Sequence, residues 1–207
     1  MTAFQALSTS SGGDAGMRVL ALPGSLRRDS WNLRLLEAAA NCAPQGMAIE
    51  VHRELADIPP FNEDLEDDSG GGPEAVRRLR AAVASADGLL IATPEYNQSM
   101  PGVLKNTIDW LSRAVPDEVL AGKPVAVMGA SSGRWGTRLA QHALRQTLCA
   151  TESRVMPAPA LYIGNVQELF DDAGRLQDMG TRQSLQALLD AFASWIDLGR
   201  LQHHAYG

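Results

Sequence analysis

The chain has 207 residues, 45% hydrophobic and 20% charged, which suits one globular domain with a full core. Its net charge of −6 disfavours a general nucleic-acid or anionic-membrane binder, while leaving room for a local basic pocket. No apolar run approaches the ~18 residues of a membrane span, and the N-terminus lacks the basic and apolar regions of a secretory signal. The expectation is therefore a flexible tail over 1–16, a single domain over 17–207, no membrane association and a cytoplasmic location. No HExxH motif or Cys/His cluster occurs, so no metal is expected. Cys42 and Cys149 read as small buried thiols, and His203-His204 as a solvated pair.

Met17 to Leu22 reads as the first strand, followed by a helix over about 30–42 that Asp29 or Ser30 can cap. Met47 to His52 alternates as a second strand. Ala56 to Phe61 is extended because of its two prolines. Residues 62–72, NEDLEDDSGGG, form an acidic solvated loop, and Pro73 at N1 starts a helix running to Ser85. Gly88 to Thr93 is the third strand. The helix over 101–113 carries an apolar stripe of Val103, Leu104, Ile108 and Leu111. Lys123 to Ala130 is the fourth strand, with a helix to about Cys149. Val155 to Ile163 is a proline-interrupted edge strand. A turn over 166–170 precedes a last helix over 181–202, apolar at Leu185, Leu188, Leu189, Phe192, Trp195 and Ile196. This alternation predicts an α/β fold, a doubly wound five-stranded parallel sheet of order 2-1-3-4-5 with helices on both faces.

In that order the loops after strands one, three and four share one edge, where such sheets bind ligands. The first loop offers the hydroxyls of Ser25 and Ser30, the charges of Arg27 and Arg28, Asn32, and the amides from Leu26 to Trp31 at a helix N-terminus. That set suits a phosphate, and it also suits an ordinary βα turn with a serine cap. Neither a Walker A loop nor GxGxxG is present. The second loop, Pro94-Glu95-Tyr96-Asn97, provides a stacking face, an amide for a ring edge and backbone N–H groups. Glu95 is readable as a general acid or base and equally as a solvent-facing carboxylate. Ser131, Ser132 and Gly133 form a small wall that a flat ring can approach. At its rim, Trp135 could stack on a ligand or pack between subunits, and Arg134 could meet a phosphorylated substrate.

The stretches GSLRRDSWN, TPEYNQSMPGVLKNTIDWLSR and GASSGRWGTRLAQHALRQTL resemble the NADPH-dependent FMN reductases, a flavodoxin-like family that includes bacterial quinone, azo-dye and chromate reductases. The resemblance runs from about Arg18 to the last helix. It implies FMN as cofactor, with the phosphate at Ser25, Leu26, Arg27, Ser30 and Asn32. The ring would lie against Pro94, Glu95, Tyr96 and Asn97 on one side and Ser131, Ser132 and Gly133 on the other. It further implies hydride transfer from NADPH or NADH through FMN N5 to a quinone, azo dye or metal oxyanion, by ping-pong kinetics and without a catalytic side chain. A homodimer or homotetramer is implied, with the Val103 to Leu111 stripe as a plausible contact. Arg134 and Trp135 depart from the smaller residues usual in the family. The alternative is a non-enzymatic flavodoxin-type electron carrier.

Overall fold

The computed structural model describes residues 16–66, 71–114 and 117–206. Strands β1 (Met17–Pro23), β2 (Met47–Val51), β3 (Gly88–Ala92) and β4 (Pro124–Ala130) alternate with helices α1 (Trp31–Asn41), α2 (Glu74–Ser85), α3 (Gly102–Leu111) and α4 (Arg138–Ala150). Two short strands follow, β5 (Arg154–Val155) and β6 (Leu161–Ile163), and α5 (Met179–Tyr206) closes the chain. All pairings are parallel, in the order β2-β1-β3-β4-β5, with β6 also on β4. This is the flavodoxin-like order the sequence predicts.

The edge strand differs from expectation. Val155 to Ile163 does not form one strand, because Pro157 and Pro159 have no N–H to donate to β4. The chain pairs with Pro124 and Val125 through β5, leaves the sheet, and returns to Met128–Ala130 through β6. The rejoined strand places Ile163 beside the loop that follows β4. Pro73 also differs, serving as the N-cap of α2 rather than its first residue.

Period-two alternation splits the core between the two faces of the sheet. Val19, Ala21, Leu90, Ala126 and Met128 meet Leu35 and Leu36 of α1 and Leu185, Leu189 and Phe192 of α5. Leu20, Leu22, Leu89, Ile91 and Val127 meet α2, α3 and α4 on the other face. β3 is buried along its whole length, as a central strand covered on both faces should be.

The α3 stripe is spent inside the domain. Leu104, Ile108 and Leu111 are essentially inaccessible and Val103 is half-buried, so three of its four residues are unavailable to another subunit. The far end of α3 is held by Arg80, a buried arginine on α2 that donates to the carbonyls of Trp110, Leu111 and Arg113. The acidic segment is partly structured: Glu63 and Glu66 pair with Arg113 at 3.1 and 2.7 Å. Before it, Leu55–Asp57 form a 3₁₀ turn, and Phe61 packs edge-on against Trp110. Both cysteines are free, and Cys149 is exposed, contrary to expectation. Cys42 is half-buried, and burial pushes its thiol pKa up, away from reactivity. Residues 1–15 of the expected tail and the acidic positions 67–70 lie outside the described residues, as do the side chains of His203 and His204.

Candidate functional site

β1 and β3 are neighbours in the sheet although a strand and two helices separate them in sequence, so this is the switch point. Their loops abut at Gly24. Its amide donates to Ala92 O at 2.8 Å, and a Cβ there would stand 3.1 Å from Thr93 Cα and Pro94 Cδ. A side chain at position 24 would wedge the first loop from the second.

The first loop has a buried frame and an exposed lip. Ser25 and Ser30 are buried, and Leu26 to Asp29 are exposed. Ser25 Oγ accepts the Arg27 amide at 3.3 Å and lies 3.5 Å from Tyr96 Oη on the second loop. Ser30 caps α1, its hydroxyl accepting the Leu33 amide. Among the described residues, the amides of Leu26, Arg28, Asp29 and Ser30 donate to no protein acceptor, and Arg27 and Arg28 pair with no carboxylate. The first turn of α1 carries no acid. Asn32 faces inward: its Nδ2 donates to Ala130 O and its Oδ1 accepts the Ala130 amide, both at 2.9 Å. It braces α1 against the end of β4 and retains one N–H beyond that brace.

The second loop is a tight hairpin. Tyr96 and Ser99 exchange both backbone hydrogen bonds at 3.0 Å, and Asn97 and Gln98 both have left-handed backbones, φ 50° and 64°. That is the geometry of a two-residue turn with positive φ at both central positions. The Tyr96 amide is thereby consumed, so of the amides expected to face a ring only those of Glu95 and Asn97 remain. Tyr96 is half exposed, its ring in the open. Glu95 turns away from solvent chemistry: its Oε2 accepts the amides of Leu139 and Ala140 at 2.9 and 3.1 Å. It caps α4 and ties the second loop to the third.

The third loop is fastened at its base. Ser131 donates its amide to Ile163 O, Asn165 donates to Gly133 O, and Val166 donates to Ser131 O. Gly164 carries no Cβ because one would collide with the Arg134 carbonyl at 2.5 Å. Ser131 Oγ accepts the Gly133 amide at 3.1 Å, while a Cβ on Gly133 would meet little more than that hydroxyl. Ser132 and Gly133 are exposed, and Arg134 and Trp135 project from the tip.

Ser25, Tyr96 and the Asn32–Ala130 brace thus link the three loops. Sequence reasoning missed Gln98 and the capping role of Glu95. The first had a visible signal, since the four residues Tyr96-Asn97-Gln98-Ser99 between a strand and a helix are short enough for such a turn. Cavity size does not select this edge. A hollow of about 240 Å³ lies beside the first loop, lined by Ser25, Arg27, Arg28 and Arg53, whereas a larger groove of about 960 Å³ runs between α3 and α4. The loop chemistry does the selecting.

Comparison with known proteins identifies the family. The family model for NADPH-dependent FMN reductase matches residues 17–168. An NAD(P)H-dependent FMN reductase of Pseudomonas aeruginosa is 45% identical over 87% of this chain and 95% of its own. A 2-hydroxy-1,4-benzoquinone reductase of a Burkholderia species is 39% identical over 87% and 96%. The solved structure of FerB, a flavoenzyme NAD(P)H:(acceptor) oxidoreductase from Paracoccus denitrificans, superposes with a TM-score of 0.80 at 36% identity, covering 88% of this chain and 98% of its own. By its matched span and its relatives, the chain belongs to the NADPH-dependent FMN reductase family.

Proposed function

We propose that the protein is an NAD(P)H-dependent oxidoreductase whose three loops hold FMN, the phosphate on the first loop and the ring between the second and third. The observation that carries this reading is the open N-terminus of α1. Free amides, the buried hydroxyls of Ser25 and Ser30, an unpaired Arg27 and no acid in the first turn converge there. A phosphate monoester needs that set, and the helix dipole favours its charge.

FMN, when bound, accepts a hydride at N5 from NADPH or NADH and supplies the electrons that reduce an acceptor. The chain's part is to bind, orient and polarise. Leu26, Arg27 and the two serines hold the phosphate, and Asn32, braced on Ala130, offers its remaining N–H. Pro94, Tyr96 and the amides of Glu95 and Asn97 border the ring's polar edge, where donors stabilise negative charge as it is reduced. Ser131, Ser132 and Gly133 close the opposite side, and the bare Cα of Gly133 allows close approach. The acceptor is of quinone type, a reading supported by the quinone-reducing relative; azo dyes and metal oxyanions are further acceptors to assay. Donor and acceptor use one open face in turn, which gives ping-pong kinetics. The assembly is a homodimer or homotetramer whose contact lies outside the buried α3 stripe, and the location is cytoplasmic.

The deciding experiment is a visible spectrum of purified protein with an FMN titration, then NADPH and NADH oxidation with and without a benzoquinone. FMN binding and quinone-stimulated oxidation are expected. Bound FMN with no NAD(P)H consumption under any acceptor would make the chain a carrier instead. Arg27→Ala should weaken FMN by roughly 1.5–3 kcal/mol, the value of one charged hydrogen bond.

A further inference from the structure

The tip of the third loop carries a feature that FMN binding does not use. Trp135 is 61% exposed, and two guanidiniums stand over its ring, Arg134 at 4.3 Å and Arg138 at 4.6 Å from the centroid. Sharing one centroid keeps the two charges within about 9 Å of each other, inside the ~10 Å Debye length at 0.1 M salt. Among the described residues neither guanidinium lies within ion-pair distance of a carboxylate. The acid on the adjoining loop, Glu95, is occupied by the amides of Leu139 and Ala140. Two like charges held together without a counterion, in a chain of net charge −6, repel until an anion joins them.

The cluster is also constrained from the ring and from the backbone beneath it. Stacking on an indole restrains both long side chains. The backbone beneath is fixed by Gly164, which leaves room for the Arg134 carbonyl, and by Gly136, whose φ of 65° and contact with Ile163 exclude a side chain. Two planar guanidiniums within about 9 Å of each other can both reach one phosphate monoester dianion. The flavin phosphate is already accounted for at α1, so this second cationic position, beside the wall that faces the ring, serves a second phosphorylated molecule.

We propose that Arg134 and Arg138, spaced and ordered by Trp135, recognise the 2′-phosphate of NADPH and set a preference for NADPH over NADH. This rests on the reading of the neighbouring loops as an FMN site open to NAD(P)H.

The test uses the full FMN-loaded chain. Calorimetric titration with 2′,5′-ADP and with 5′-AMP separates the 2′-phosphate from the rest of the nucleotide. The wild type should bind 2′,5′-ADP at least about tenfold more tightly than 5′-AMP. Arg134→Ala and Arg138→Ala should each weaken 2′,5′-ADP roughly tenfold, one charge-assisted hydrogen bond apiece, and the double variant should lose the preference. The NADPH to NADH ratio of kcat/KM should fall in step, through KM for NADPH. Trp135→Phe should retain most of the preference and Trp135→Ala should lose part of it. Equal binding of the two probes by wild type, or an unchanged preference in the double variant, overturns the proposal. A change in oligomeric state with nucleotide preference intact would assign the cluster to a protein contact and overturn it as well. Failure of the underlying reading looks different: wild type then oxidises neither donor, whereas an active wild type that uses both donors equally sinks only the phosphate assignment.

Discussion

α1 and α4 both begin at the loop edge of the sheet, and they handle that end in opposite ways. α4 has a carboxylate on its first amides, Glu95 Oε2 on Leu139 and Ala140. α1 has a neutral hydroxyl, Ser30, no acid in its first turn, and free amides in the loop before it. The same partial positive charge is neutralised from within at α4 and left without an acid at α1. Each helix is also tied across the site, α4 to the second loop through Glu95 and α1 to β4 through Asn32. One end ties the loops together, and the other is left open, as the proposed phosphate site requires.

Removing a tie has the largest expected effect. Asn32→Ala strips the partners from the amide and carbonyl of Ala130, both in the buried interior. Two orphaned groups at ~1–3 kcal/mol each predict a loss of about 2–6 kcal/mol in urea unfolding. An unchanged midpoint would mean that water replaces the brace. Making α1 resemble α4 comes next. Ser30→Asp keeps a good cap and adds a charge that suits the dipole, so thermal stability should hold or rise. The same charge should repel the FMN phosphate by about 3 kcal/mol, for charges ~5 Å apart at an effective dielectric of 20. FMN affinity should fall about a hundredfold or more. Riboflavin, which lacks the phosphate, should bind the variant as it binds wild type. Tight FMN binding by Ser30→Asp would remove the phosphate from α1.

The asymmetry between the two helices was only half legible in the sequence. The open end was visible because its parts are consecutive: Ser25 to Asn32 place hydroxyls, charges and a helix start within one loop. The strand order likewise follows from local periodicity and the handedness of the crossovers. The closed end was not visible, because Glu95 meets residues 44 and 45 positions away. The bracing role of Asn32 was hidden for the same reason, its partner lying 98 positions on. Arg80 gave no sign that it would cap α3, since an arginine on an amphipathic helix reads as solvated. The α3 stripe misleads in the other direction: an apolar periodicity marks a buried face without saying whether the same chain or another one buries it.

Opening the closed end is the next smaller perturbation. Glu95→Ala frees two α4 amides and unties the second loop, which should cost about 1–2 kcal/mol in urea unfolding. Glu95→Gln keeps an acceptor and should recover about half of that. The pair also tests Glu95 as a general acid or base. Such a group contributes about 10²–10⁴ in rate, so a brace predicts a kcat loss in Glu95→Gln within about tenfold. A loss beyond a hundredfold at undiminished stability would return Glu95 to the chemistry.

The smallest effect concerns what the tied loop holds in place. Asn97 and Gln98 are left-handed, while no non-glycine residue of the first loop is. Asparagine tolerates that backbone through its short polar side chain, but glutamine does not share the advantage. Gln98 therefore carries about 1 kcal/mol of strain that the hairpin bonds between Tyr96 and Ser99 must offset. Gln98→Gly should relieve it, raising the melting temperature by about 2–4 °C. The functional consequence separates two reasons for the strain. If the left-handed pair serves only to present Tyr96, Gln98→Gly gains stability and FMN affinity is unaltered, since Gly holds the turn at least as well. If the glutamine side chain itself reaches the ring, the variant gains stability and loses affinity. The exchange of both backbone bonds across the turn already fixes the hairpin without that side chain, so the first outcome is expected, and a parallel loss of FMN affinity would make Gln98 a ring contact.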